Sequence, residues 1–286
     1  MNGEEPSDLR SGDFDRRSVL VAGSLLSLAM SSGQLWAAEA LRGDELPLRT
    51  TGLEHLGMLV PDVTKAAKFY GRLFNPAVHK EAEAPLRYYV VMGKGYIAFG
   101  SRDTAPDPVI DHYCVLLEKY DRKAMDARLG REGLPPANRG IVYDPDRIGL
   151  QLLEAPAGLA STTVPAGNIV EGPALVVPLE MESILLRVSD LAATAKFMSL
   201  FFKEMPSPVP GQRWFAAANT PIAIRQVVGR EKPGVDDWTI RCRRFDSGKV
   251  AAALAQMGAV ILPSAKGTLR LLDPNGLPLT MKMTGA

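Results

Sequence analysis

Hydrophobic and polar positions along this chain follow one grammar, stated four times: strand, helix, then further strands. In the first statement 53–60 reads as a strand, Leu53-Glu54-His55-Leu56-Gly57-Met58-Leu59-Val60. Asp62 then stands as the N-cap of a helix over 63–74, where Ala66, Phe69, Tyr70 and Leu73 recur at helical spacing and predict one buried stripe. Residues 87–92 and 96–100 follow as strands around the turn Gly93-Lys94-Gly95. The second statement begins at 109. It gives a strand over 111–117, a helix over 121–131 closed by Gly133, a short strand over 141–143, the turn Asp144-Pro145-Asp146-Arg147 and a strand over 148–153.

The second half repeats the first. Met181-Glu182-Ser183-Ile184-Leu185-Leu186-Arg187-Val188 echoes the opening strand at an offset of 128, and Ala195-Lys196-Phe197 echoes Ala67-Lys68-Phe69. Ile222-Ala223-Ile224 stands where Ile97-Ala98-Phe99 stood. At an offset of 125, Leu254 and Gly258 match Leu129 and Gly133, and Asp236-Asp237-Trp238 matches Asp111-His112-Tyr113. The turn Asp273-Pro274-Asn275-Gly276 is the counterpart of the one at 144–147. Such self-similarity predicts a duplicated architecture: a first domain over 51–154 (modules 53–101 and 109–154), a Gly-, Pro-, Ala- and Thr-rich connection over 155–179, and a second domain over 180–284 (modules 180–226 and 236–284). Histidine stands at matching strand starts only in the first half.

Composition narrows the function classes. The 286 residues carry 33 basic and 32 acidic side chains, a formal charge of +1, which gives no reason to invoke nucleic acid. Cys114 and Cys242 fall at non-equivalent positions and make no disulfide framework. Ahead of the repeats, Arg16-Arg17 precede an apolar run over 19–30, too short to span a bilayer, and Ala38-Glu39-Ala40 offers a small-x-small cleavage site. Residues 1–40 therefore read as an export signal, and the paired arginines resemble the twin-arginine type. A Sec-type signal or an uncleaved anchor is the alternative. Once the signal is cleaved no membrane association is expected, and the protein would be periplasmic or otherwise extracytoplasmic.

The order strand, helix, strands, closed by an Asp-Pro-(Asp/Asn)-Gly-like hairpin, resembles the vicinal oxygen chelate superfamily, which includes glyoxalase I, extradiol dioxygenases and bleomycin-resistance proteins. The resemblance covers almost all of 53–284. It implies an α+β fold of four βαβββ modules forming two tandem half-open barrels, with a divalent metal on the inner face of a cup. Carried over by position, the first-domain metal slots are His55, Ala98, His112 and Gln151. Ala98 cannot bind metal, so His55, His112 and Gln151 remain. Gln151 departs from the His-His-Glu trio of the dioxygenase branch, because an amide oxygen holds a hard cation less tightly than a carboxylate.

Strand alternation puts His55 on a face with Leu53, Gly57 and Leu59, and His112 with Cys114 and Leu116, both towards apolar company. Gln151 shares a face with Leu153, and Glu154 points the other way. Glu154 is the better ligand by chemistry and the worse by geometry, so Gln151 is favoured with Glu154 in reserve. Tyr143, before the closing turn, could orient a substrate oxygen or donate a proton; aromatic packing is the plainer alternative. Tyr113 faces away from His112. His79 reads as a surface residue in a polar loop, and Cys114 as a small buried hydrophobe.

The second-domain equivalents, Ser183, Ala223, Asp237 and Thr280, make a poor metal site, with Asp237 in a turn or capping role. The cluster Arg241, Arg243, Arg244 could attract an anionic ligand, but a solvated strand edge is the plainer reading. These readings lead to an exported metal-dependent enzyme, dioxygenase-like or glyoxalase- or lyase-like, that chelates a small oxygen-rich substrate. Fe(II) or Mn(II) is the favoured metal, with Zn(II) or Ni(II) next. From another class come a metal-free small-molecule binding or sequestering protein of the bleomycin-resistance type and, more remotely, a structural partner of another exported protein.

Overall fold

A computed structural model describes residues 48–101 and 107–285. The export segment read over 1–40 lies outside them. The repeats build two eight-stranded sheets of one design. The first domain contributes β1 (Thr50–Leu59), α1 (Val63–Leu73), β2 (His79–Glu81), β3 (Tyr88–Met92), β4 (Gly95–Gly100), β5 (Val109–Leu117), α2 (Arg122–Arg131), β6 (Ile141–Tyr143), β7 (Gly149–Glu154) and β8 (Thr163–Pro165). The second contributes β9 (Pro178–Val188), α3 (Leu191–Met198), β10 (Lys203–Met205), β11 (Gln212–Ala217), β12 (Thr220–Gln226), β13 (Gly234–Cys242), α4 (Ser247–Gln256), β14 (Val260–Leu262), β15 (Thr268–Leu272) and β16 (Pro278–Met283).

The sheet orders are β6-β7-β5-β1-β4-β3-β2-β8 and β10-β11-β12-β9-β13-β16-β15-β14. In each, the opening strand lies at the centre, parallel to one strand of its own module (β4 or β12) and antiparallel to the first strand of the next (β5 or β13). Two edge strands break the symmetry, β8 in the first sheet and β14 in the second. The connection at 155–179, read as linker, includes β8, which pairs with β2, and its Leu175 and Val176 amides donate to Arg72 and Leu73 of α1. His79, expected in a loop, lies in β2 opposite Tyr89.

Local chemistry starts and stops the helices as the sequence predicts. The carboxylates of Asp62, Asp121, Asp190 and Asp246 each accept from a backbone amide of the first turn, satisfying donors that have no partner within the helix. Gly133 follows α2 with φ of 71°, a left-handed conformation that glycine adopts without a Cβ clash. On α1 the stripe Ala66, Phe69, Tyr70 and Leu73 is buried.

These stripes enter one hydrophobic core shared by both domains. Tyr70 of α1 donates to Asp273 Oδ2 in the closing turn of the second domain (3.1 Å), and Tyr113 of β5 meets Met198 Sδ of α3 at 3.6 Å. Each domain's first helix thus packs on the other domain's second module. Packing between the domains occupies one face of each sheet and leaves the opposite, cup-side faces to other side chains.

A candidate metal centre in the first cup

Two β-bulges shape the first cup. On β1, Leu53 is opposite Val115 and Leu56 opposite Tyr113, so three steps along β1 match two along β5. The extra residue turns both Glu54 and His55 to the cup, while Leu53 packs with Leu56 against the core. This corrects strict alternation, which put Leu53 on His55's face and Glu54 on the other. On β5, Met58 is opposite Ile110 and Gly57 opposite His112, which makes Asp111 the extra residue beside His112.

Each bulge pairs an acid with the histidine that follows it. His55 Nδ1 lies 2.9 Å from Glu54 Oε2, and His112 Nδ1 lies 3.1 Å from Asp111 Oδ2. With each Nδ1–H donating to its carboxylate, the Nε2 atoms keep their lone pairs, and the Gln151 side chain lies within hydrogen-bonding reach of the His55 ring. The two rings stand 5.5 Å apart, centre to centre, at 88°. An imidazole bound through nitrogen at about 2.1 Å puts its centre about 3.2 Å from a metal, so two rings sharing one ion at ~90–120° would stand about 4.5–5.5 Å apart. The observed spacing fits.

Neighbouring strands make room for these rings. His112 lies opposite Gly57 of β1 on one side and Gly149 of β7 on the other. A Cβ on Gly57 would come 2.0 Å from His112 Cε1, and one on Gly149 would come 2.7 Å from His112 Cβ. Gly57→Val is therefore expected to rotate His112 out of the site. The check is loss of divalent-metal affinity by about tenfold or more with the far-UV circular dichroism unchanged; a variant that binds as the parent does would show that His112's position is immaterial.

His55 is 3% exposed and stacks on Tyr96 at 4.4 Å, and Tyr96 in turn meets Tyr89 edge-on at 5.9 Å. Burial lowers the His55 pKa and His112 adds to that, while Glu54 and, more weakly, Gln151 pull it back up. Burial also raises the phenols, Tyr89 to about 12 and Tyr96 further, so both remain neutral donors. Tyr89 already donates to Glu81 Oε1 (2.5 Å).

Gln151, opposite Cys114 in the β5–β7 register, is on the cup face, and its Nε2 donates to Arg139 O at 3.0 Å. That bond turns the amide nitrogen outward. Glu154 is exposed at the end of β7. Tyr143, opposite Gly149, is also on the cup face, with the Arg147 guanidinium 4.9 Å from its ring centre. Ala98 lies opposite Gly57 and gives the floor only a methyl group.

Sequence reasoning missed two members of this cluster. Glu54, His55 and Cys114 are all buried, with their ligand atoms within 4.8 Å of one another. Burial, with the Glu54 carboxylate beside it, raises the Cys114 thiol well above its usual value and keeps it protonated. The acid-histidine pairs Glu54-His55 and Asp111-His112 were the available sequence signal, hidden by the assumption of unbroken alternation. Two imidazole nitrogens and an amide oxygen, with a buried carboxylate behind one ring, make a donor set that suits a mid-series divalent ion.

The second cup is filled. Leu185 replaces Gly57, and Leu185, Val209, Trp214 and Ala223 form a separate buried apolar cluster. Asp237 is not in a capping role: it is buried, accepts from Thr280 Oγ1 (2.7 Å) and has Arg270 Nε at 4.0 Å. Nor is Arg241 on an edge, since β13 runs between β9 and β16, and Arg241 pairs with Glu180.

Among solved structures the chain resembles homoprotocatechuate 2,3-dioxygenase from Arthrobacter globiformis (TM-score 0.59, 12% identity, covering 85% of this chain and 83% of that one). It also resembles the Mn(II)-bound glyoxalase from Novosphingobium aromaticivorans (0.57, 15%, 82% and 83%) and the 2,3-dioxygenase LapB from Pseudomonas sp. KL28 (0.56, 14%, 83% and 93%). The fold is the vicinal oxygen chelate fold. No protein-family model and no curated protein matches the sequence. At such identities the likeness carries the fold alone.

Proposed function

We propose that the chain is a metal-dependent enzyme of the vicinal oxygen chelate type, acting on a small oxygen-rich substrate in the first cup. The observation that carries this reading is the pair of imidazoles 5.5 Å apart, each with Nδ1 engaged by the preceding carboxylate. His55 and His112 would hold the ion through Nε2, and Gln151 through its amide oxygen. Fe(II) or Mn(II) is favoured, then Zn(II) or Ni(II). Bound there, the ion would supply Lewis acidity to two adjacent substrate oxygens.

The protein's own groups do the rest. Tyr143, on the cup face, can orient a substrate oxygen or give it a proton. Tyr96 and Tyr89 offer a flat wall for a planar substrate. Dioxygenase-like and glyoxalase- or lyase-like reactions both use such an arrangement. Export by a twin-arginine-type signal is part of the proposal and rests on Arg16-Arg17 and the apolar run after them.

Metal analysis of protein matured in its native host tests the reading. About one equivalent of a transition metal per chain is expected; less than about 0.2 equivalents, together with no uptake by the apoprotein, would sink it. Gln151 in a carboxylate's slot favours the second reading, a metal-free pocket that sequesters a small molecule. That protein would bind its ligand with or without chelator present.

A further inference from the structure

We infer that Glu54, turned into the cup by the β1 bulge, is the counter-charge of the first-cup cation and supplies the negative charge that Gln151 withholds on β7. This rests on the metal-site reading proposed above and gives Glu54 an electrostatic role beyond orienting His55.

The duplicated half provides the comparison. Met181 is opposite Ile240 and Ser183 opposite Thr239, so the same bulge turns Glu182 to the same face of its own sheet. There Lys282 Nζ meets Glu182 Oε1 at 2.6 Å, and that carboxylate is neutralised within the fold. The position matching Lys282 in the first half is Leu153, which cannot neutralise anything. Glu54 is 4% exposed, and its carboxylate meets His55 Nδ1 and the Cys114 thiol. A buried carboxylate is costly unless a cation accompanies it. Where the second half placed a lysine, the first has two imidazoles whose Nε2 atoms the carboxylates leave unused. A divalent ion on them would sit close enough to Glu54, through His55, to take the lysine's electrostatic part. The carboxylate meanwhile fixes the ring's tautomer and direction, which makes Glu54 a positioning residue.

The test is titration of the apoprotein with Mn(II) and Co(II), followed by calorimetry and, for Co(II), by visible absorption. Glu54→Gln keeps the shape and removes the charge; it should weaken binding by about 10–100-fold. Adding Gln151→Glu to that variant returns a carboxylate to the cup from β7 and should restore most of the affinity, whereas in the parent, where Glu54 already supplies the charge, the same change should raise affinity far less. Leu153→Lys copies the second half and should abolish binding while leaving the thermal midpoint near that of the parent. Parent-like affinity in Glu54→Gln or in Leu153→Lys would overturn the inference, as would failure of Gln151→Glu to rescue. If the parent protein itself takes up no metal, it is the proposed function that fails, an outcome distinct from these.

Discussion

Replacing either His55 or His112 by Ala is expected to remove divalent-metal binding from this protein. Each variant should lose more than the ~10–100-fold typical of losing an outer hydrogen-bond partner, because the deleted group is itself the donor. The two should fail alike, since rings 5.5 Å apart are spaced to share one ion. Their costs to stability should differ. His55 is stacked on Tyr96 and almost wholly buried, so truncation leaves a cavity and an unaccompanied Glu54; a loss of about 2–4 kcal/mol is expected. His112 is more exposed and is flanked by Gly57 and Gly149, so its removal should cost less. Equilibrium titration and thermal denaturation of the two variants check both halves. Retention of a full equivalent of metal by either would place the ion elsewhere.

The second large effect is on pH dependence. Asp144 ends the strand that carries Tyr143; its Oδ1 accepts from the amides of Asp146 and Ile148, while its Oδ2 is buried with no hydrogen-bond partner. Its counterpart, Asp273, has the Tyr70 hydroxyl on Oδ2. The residue matching Tyr70 is Met198, which donates nothing. Burial, with the Asp146 charge adding to it, raises the Asp144 pKa to about 6 against the two backbone bonds. Tyr113, also close, is buried and stays neutral.

A carboxyl whose folded pKa lies above its unfolded value favours the fold when protonated. That contribution is complete below about pH 4 and is lost as pH rises through about 6, amounting to as much as about 3 kcal/mol for a shift of roughly two units. Asp237, likewise raised to about 6 by burial, acts in the same window. Asp144→Asn keeps the acceptor for both amides and abolishes the titration. Relative to the parent it should therefore gain stability between about pH 4 and about pH 7.5, by up to about 3 kcal/mol in denaturant unfolding. An equal difference at both pH values would contradict this account.

Much of the architecture was legible because its signals are local. The Asp N-caps, the stripe on α1 and the Asp-Pro turns depend on residues a few positions apart, and each formed where read. The duplication was legible because the same local signals recur at fixed offsets. His55, His112 and Gln151 were placed by family resemblance, and the structure brings all three to one cup face. Glu54 was missed for a definite reason. Face assignment by alternation assumes period two, and one inserted residue reverses it for everything on one side. A bulge is visible only in the pairing with the neighbouring strand.

The sequence by itself determined the four modules, their repetition as two sheets of one design, and the presence of histidines in the first half only. Its hydrophobic periods and caps act within each segment and need no partner to be read. The tertiary structure alone decided that each acid joins its histidine on one face, that the second cup is packed with Leu185 and Trp214, and that Glu182 has a lysine where Glu54 has none. Those are relations between strands far apart in the chain. They exist only once register and packing have set which side chains meet.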